Sequence, residues 1–355
     1  SSHARRKVGR HAQDPERKPG LARRINRDDH PGDGLRVVIP DEPDRGRTCA
    51  QQFEIECAPD HVTEATRDGG LGNEVEPLCA DRPNDLVDAF SGDNLHVRTA
   101  TRLVHAGRDP AAQHGMVNPP VYHASTVLFE SLDALEQASK NPFEGMYYGR
   151  NGTPVQFAFE QAVAEMEGAF GAVTTCSGLA AITAALMSAA EQGAHFLVTD
   201  NVYGPTRKLC DGLLRRLGVT TEYFDPTISA DALEQRITAD TRVLFLEAPG
   251  SLTFEISDVP ALAEVAHRHD VVVMADNTWA TPLYFDALAH GVDISIHAAT
   301  KYLVGHADAM LGVINCVEAQ YLRVRKTAAG MGYCAGPDDI YLGLRGLRTL
   351  GQRLP

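Results

Sequence analysis

A chain of 355 residues with a formal net charge of −14 has the length for about two domains and the wrong sign for a nucleic-acid binder. No stretch approaches the roughly 18 uninterrupted apolar residues of a membrane helix, so no membrane partner is expected and the cytoplasm is the expected location. The seven cysteines (Cys49, Cys57, Cys79, Cys176, Cys210, Cys316 and Cys334) form no C-x-x-C pair, and they read as small buried hydrophobes of a reducing compartment.

Residues 1–90 differ from the rest. Ser1 to Arg47 is rich in Arg, Asp, Pro and Gly, with one apolar run at Leu35 to Ile39, and Thr48 to Asp88 turns acidic. Phe53 and Phe90 are its only aromatics, too little apolar surface to offset chain entropy, so a disordered leader is expected. Its arginines admit three readings: a basic arm, an organelle transit peptide, or an upstream extension that is not native coding sequence. Interspersed acids (Asp14, Glu16, Asp28, Asp29) weaken the first two, and a chain opening on Ser1 rather than Met leaves the third open.

From about Asn94 helices alternate with short apolar strands, the pattern of an α/β fold with a largely parallel sheet. Helical spacing runs through Phe157, Val163 and Met166, through Leu179 to Met187, and through Val259, Leu262, Val265 and Ala266. The strand candidates are Phe196 to Val198, Val243 to Leu246, Val271 to Met274 and Ile294 to Ile296. Each is followed by polar residues, as expected for a strand buried on both faces with functional groups at its C-terminal end.

Those strand ends carry the chemistry. In Tyr147-Tyr148-Gly149-Arg150, ahead of a helix, Arg150 suits bidentate phosphate contact, although a solvated loop arginine is the default. Ser177 and Gly178 open an Ala-rich helix, where free N–H groups attract phosphate, and ordinary capping explains them equally well. Tyr203 follows a strand and offers either an aromatic face or loop packing. Asp276 closes an apolar strand, a costly place for a carboxylate unless it meets a cation or serves as a cap. Lys301, in His297-Ala-Ala-Thr-Lys301-Tyr302, would alone be a surface lysine. Together, a phosphate cradle, a stacking ring, an acid for a ring nitrogen and an amine make the inventory of a pyridoxal 5′-phosphate site. His105, His114, His123, His297 and His306 show no H-x-x-x-H spacing with a carboxylate, and no metal is expected.

From about His96 onward the chain resembles the Cys/Met-metabolism branch of fold-type I pyridoxal phosphate enzymes, closest to its bacterial cystathionine β-lyases. The likeness rests on Tyr148-Gly-Arg150, Asp276-Asn-Thr-Trp-Ala280, Ala298-Ala-Thr-Lys-Tyr-Leu-Val-Gly-His306 and Gly343-Leu-Arg-Gly-Leu-Arg-Thr-Leu-Gly351. It implies a large cofactor-binding α/β domain at 154–336, preceded at 91–153 by an arm contacting a neighbouring subunit. Residues 337–355 would begin the helix leading to a small C-terminal domain that is largely missing. It further implies that Lys301 binds the cofactor and moves the Cα proton, with Tyr203 as its catalytic partner stacked on the ring and Asp276 on the ring nitrogen. Ser177, Gly178, Leu179 and Thr300 would hold the phosphate, and Tyr148 and Arg150 would reach that of a neighbouring copy in a homodimer or homotetramer.

Two departures from other branches point to β-elimination of a cystathionine-like sulfur amino acid, giving homocysteine, pyruvate and ammonia. Ala298 stands where many relatives carry Ser, and Glu247-Ala-Pro-Gly-Ser251 where many γ-enzymes read Ser-Pro-Ser/Thr-Asn-Pro. The alternatives are a cystathionine γ-synthase or O-acyl-homoserine sulfhydrylase and, from another class, a catalytically silent remnant or binding protein. The last is favoured by the end of the chain at Pro355, ahead of the arginine that the resemblance assigns to the substrate carboxylate; Arg345, Arg348 and Arg353 are not given that role.

Overall fold

The computed structural model describes residues 99–354, so the expected leader and the first residues of the arm lie outside the described residues. In chain order come α1 (Thr99–His105), α2 (Leu132–Lys140), α3 (Pro154–Glu167), β1 (Gly171–Thr175), α4 (Gly178–Ala189), β2 (His195–Thr199), α5 (Gly204–Leu209) and β3 (Thr220–Phe224). Then follow α6 (Ala230–Glu234), β4 (Thr241–Glu247), α7 (Val259–Arg268), β5 (Val272–Asp276), α8 (Thr281–Tyr284), β6 (Ile294–His297), β7 (Gly312–Cys316), α9 (Glu318–Gly330) and α10 (Pro337–Arg353).

The strands form one sheet in the order β1-β7-β6-β5-β4-β2-β3. Neighbours from β6 through β3 pair in parallel, and β7 runs antiparallel to both β6 and β1. All strands but β7 therefore point the same way, and the C-terminal ends of β1, β2, β4, β5 and β6 share one edge of the sheet. That is the edge where an open α/β sheet presents a ligand site. The four strand candidates read from the sequence coincide with β2, β4, β5 and β6. They run one residue further at each end for β2 and two before and one after for β4; β5 starts one residue later, at Val272, and runs on to Asp276, and β6 runs on to His297.

Helices cover both faces because successive strand residues point to opposite sides. Val173, Phe196, Val198, Phe245, Met274, Ile294 and Ile296 pack against α4 and α9. On the other face Ala172 and Val313 meet α3 and α10, while Leu197, Leu244, Leu246, Val273 and Ala275 meet α7. Phe159, Phe196, Phe224 and Phe245 are fully buried, each contributing about 1.5–3 kcal/mol of transfer free energy.

α4 is apolar nearly all round, so it is buried along most of its length; Ser177 starts it by accepting the Ala180 N–H. The reading of the cysteines as buried hydrophobes holds for Cys210 and Cys316 and fails for Cys176 and Cys334, which are exposed. Cys176 lies in the turn that leads out of the sheet between β1 and α4, and Cys334 in the connection from α9 to α10. No helix among the described residues is long and apolar enough to cross a membrane.

Candidate active site

The site is assembled by strand register. Asp276, the last residue of β5, stands beside Glu247 at the end of β4 and beside Ile296 of β6. Alternation puts Glu247 and Asp276 on the same face as Phe245 and Met274, the α4 side. Asp276 is buried, and its Oδ1 accepts the Thr278 N–H at 3.1 Å. Thr278 Oγ1 in turn accepts the Ala298 N–H at 2.8 Å, which ties the turn after β5 to the loop after β6.

That loop carries Lys301. Its backbone coils tightly, with Lys301 N–H donating to Ala298 O, Val304 N–H to Ala299 O and Gly305 N–H to Lys301 O. At its base Thr300 Oγ1 accepts the Leu311 N–H at 2.8 Å and donates to Leu311 O at 3.2 Å, so turning the hydroxyl proton to a phosphate would replace the second contact and keep the first. The exposed Lys301 ammonium sits 5.3 Å from the centroid of the Tyr203 ring, within cation–π reach, and makes no hydrogen bond or ion pair among the described residues.

Tyr203 lies in the turn after β2, at the start of α5, where its backbone N–H donates to Glu247 Oε2 at 2.7 Å. Burial and then the negative charge of Asp276 push the Glu247 carboxyl up to about 8, against the opposing effects of the Tyr203 N–H and Lys301. Glu247 was legible in the sequence only as part of a motif; its contact with Tyr203 bridges 44 positions.

The start of α4 closes the other side. The Ser177 hydroxyl takes the Ala180 N–H and the Ser177 carbonyl takes the Ala181 N–H, which leaves the N–H groups of Gly178 and Leu179 without a partner among the described residues. A Cβ added at Gly178 would lie 2.4 Å from the Cβ of Ala298, so the helix start is pressed against the Lys301 loop and only glycine fits. Gly312, which opens β7, is similarly tight: a Cβ there would lie 2.2 Å from Ser177 O. Two free N–H groups at the positive end of a helix, an amine over an aromatic ring and a buried carboxylate fit the phosphate, aldehyde and ring nitrogen of pyridoxal phosphate.

Tyr148 and Arg150 are not brought to this cluster within the chain. Arg150 donates to Ala329 O at 2.8 Å, and Tyr148 is 41% exposed. Arg353, which the sequence leaves without a role, braces the lysine loop instead: its guanidinium donates to the carbonyls of Tyr302, Leu303 and Gly346. Deeper down, Arg325 and Glu160 form a buried ion pair at 2.7 Å, and His297 bonds Glu167 where both side chains are essentially inaccessible. Neither pair is predictable from local pattern, because its members lie 165 and 130 positions apart.

Residues 100–355 match the family of Cys/Met metabolism PLP-dependent enzymes. A Rhizobium johnstonii protein provisionally named cystathionine beta-lyase is 49% identical over 254 residues, 72% of this chain and 63% of that protein. The Escherichia coli cystathionine beta-lyase MetC is 43% identical over 257 residues, 72% of this chain and 65% of MetC. Among solved structures, MetB from Corynebacterium glutamicum superposes with a TM-score of 0.67 at 28% identity, covering 72% of this chain and 65% of MetB. The chain thus spans a little under two thirds of the length of these three proteins.

Proposed function

Since the chain belongs to the Cys/Met-metabolism family of PLP-dependent enzymes, we propose that the cleft around Lys301 cleaves a carbon–sulfur bond by β-elimination, with a cystathionine-like thioether as substrate. The observation that carries the reading is the convergence of Lys301, Tyr203, Asp276 and the free N–H groups of α4 at one sheet edge. The relatives' names supply the reaction class: MetC and the R. johnstonii protein are both named for β-lyase activity.

Pyridoxal phosphate, when bound, supplies a conjugated ring that withdraws electrons from the substrate's Cα. The N–H groups of Gly178 and Leu179 would hold its phosphate, the Tyr203 ring would stack on it, and the Asp276 carboxylate would favour a proton on its ring nitrogen. The Lys301 amine removes the Cα proton. The electron pair left on Cα forms a double bond to Cβ as the Cβ–S bond breaks and the thiolate departs. The remaining three-carbon fragment takes up water to give pyruvate and ammonia, so cystathionine and water are converted to homocysteine, pyruvate and ammonia. Tyr148, exposed on the segment before α3, serves the phosphate of a neighbouring copy together with Arg150, which makes a homo-oligomer the active unit.

The test is spectroscopic and chemical. Pyridoxal phosphate added to the full chain is expected to give the visible band of a lysine-bound cofactor, and Lys301→Ala is expected to abolish it. Pyruvate release from cystathionine should depend on the same lysine. A band that survives Lys301→Ala sinks the cofactor assignment. A normal band without pyruvate sinks the lyase reading, and thiol incorporation into an activated homoserine would then identify a synthase or sulfhydrylase.

A further inference from the structure

We propose that Glu247 is a positioning residue that stores a proton beside Asp276 and aligns Tyr203 with Lys301 through the Tyr203 backbone N–H. The inference rests on the assignment of Lys301 and Asp276 to the cofactor site and adds a member that the cofactor itself does not require.

Three observations carry it. Register sets Glu247 and Asp276 side by side at the ends of adjacent parallel strands, on the same face of the sheet. The strands lie only about 4.8 Å apart, so the Asp276 charge bears on the Glu247 carboxyl and disfavours its ionisation. Second, the Glu247 Oε2 accepts the Tyr203 N–H at 2.7 Å, which ties the β4 end to the residue whose ring faces Lys301. Third, three elements present groups that bear on its charge: Asp276 from β5, Lys301 from the loop after β6, and the Tyr203 N–H from the turn after β2. Burial and Asp276 together outweigh Lys301 and the N–H, so the carboxyl is raised from its ordinary 4.5 to about 8 and is mostly neutral at pH 7.

A neutral carboxyl keeps the clamp, because its carbonyl oxygen still accepts the Tyr203 N–H. It also removes a negative charge from beside Asp276, the residue proposed above for the ring nitrogen. Between about pH 4.5 and pH 8 the folded chain holds a proton that the unfolded chain has released, so stability present below that window is lost as pH rises through it. Glu247→Gln is neutral at every pH, retains an acceptor oxygen and has no such window.

The test compares wild type, Glu247→Gln and Glu247→Ala as full chains. Melting temperature is recorded from pH 5 to pH 9 without cofactor, and pyridoxal phosphate affinity at pH 7 is taken from the visible band. Relative to Glu247→Gln, the wild type is expected to lose several degrees between pH 5 and pH 8. At pH 7 Glu247→Gln should bind the cofactor like wild type, and Glu247→Ala about 10-fold more weakly for want of the acceptor. A difference in melting temperature that stays flat across the range overturns the stored proton. Equal losses of affinity in Glu247→Gln and Glu247→Ala overturn it too, because they would mean that the charge itself is required. If the wild type forms no lysine-bound band, the cofactor assignment fails instead, while the melting comparison still decides the protonation of Glu247.

Discussion

At the mouth of the sheet Lys301 is exposed and bonded to nothing among the described residues, Tyr203 is 39% exposed, and Glu247 and Asp276 stand side by side. Around α3, by contrast, Arg325 and Glu160 or His297 and Glu167 are buried and bonded to each other. Where strand residues are involved, alternation separates the two groups, since Asp276 and Ile296 face α4 whereas Ser295 and His297 face the α3 side, and Arg325 reaches Glu160 of α3 from α9. Burial of a charge is tolerated where a partner satisfies it and is costly where none does. A fold that keeps an amine unpartnered must therefore leave it at the edge, in reach of solvent and of a ligand, and the bonded pairs beneath hold that edge in shape. Glu160 illustrates the second task, since Oε1 accepts from Arg325 and also from the Thr174 N–H of β1 and from Gln156.

Arg325→Met gives the strongest test of this division. It strands the Glu160 carboxylate in the interior and removes the donor to Asn151 O, so a loss of about 3–5 kcal/mol in unfolding free energy is expected in urea titrations. Cofactor affinity per folded molecule should stay close to wild type. A variant that keeps its stability and loses the cofactor would break the contrast, because it would place the buried pair in the site's own chemistry. Arg353→Ala should cost less and act across the divide. Its guanidinium reaches the carbonyls of Tyr302 and Leu303 in the lysine loop, so removing it is expected to cost about 2 kcal/mol and to weaken the visible band together with stability. Loss of stability with an unchanged band would show that the loop holds its shape without this brace.

The mouth was more legible in the sequence than the layer beneath it. Strands β2, β4, β5 and β6 are buried on both faces and read as short runs of Val, Leu, Ile and Phe, so their ends, and the residues placed there, followed directly. β7 escaped notice because Gly312-Val-Ile-Asn-Cys316 interrupts its apolar run with the buried Asn315. β3 did so because Thr220 to Tyr223 is only half-buried at the edge of the sheet. The Glu247–Tyr203 contact and the Arg325–Glu160 and His297–Glu167 pairs are made by tertiary packing between distant segments, and no periodicity encodes them. Tyr148 and Arg150 were recognisable as a motif, yet the fold of a single chain ties Arg150 to Ala329 and does not bring either residue to the Lys301 cluster.

Ser177 is the position where the two regions are hardest to tell apart, and there the smallest effect carries the most information. It stands at the mouth beside Gly178 and Ala298, as a ligand-binding residue would, but its hydroxyl accepts the Ala180 N–H at 3.1 Å, as a helix cap does. If capping is its task, Ser177→Ala costs about 1 kcal/mol, read as a small drop in melting temperature. Pyridoxal phosphate affinity is then expected to change only marginally, because the N–H groups of Gly178 and Leu179, proposed above to hold the phosphate, remain. If the hydroxyl instead turns to the phosphate when the cofactor binds, the cap is lost in the loaded state and the mutation weakens binding by more than it lowers the stability of the cofactor-free chain. Measuring both quantities on the same variant assigns Ser177 to one region or the other, since a capping hydroxyl cannot produce the second pattern.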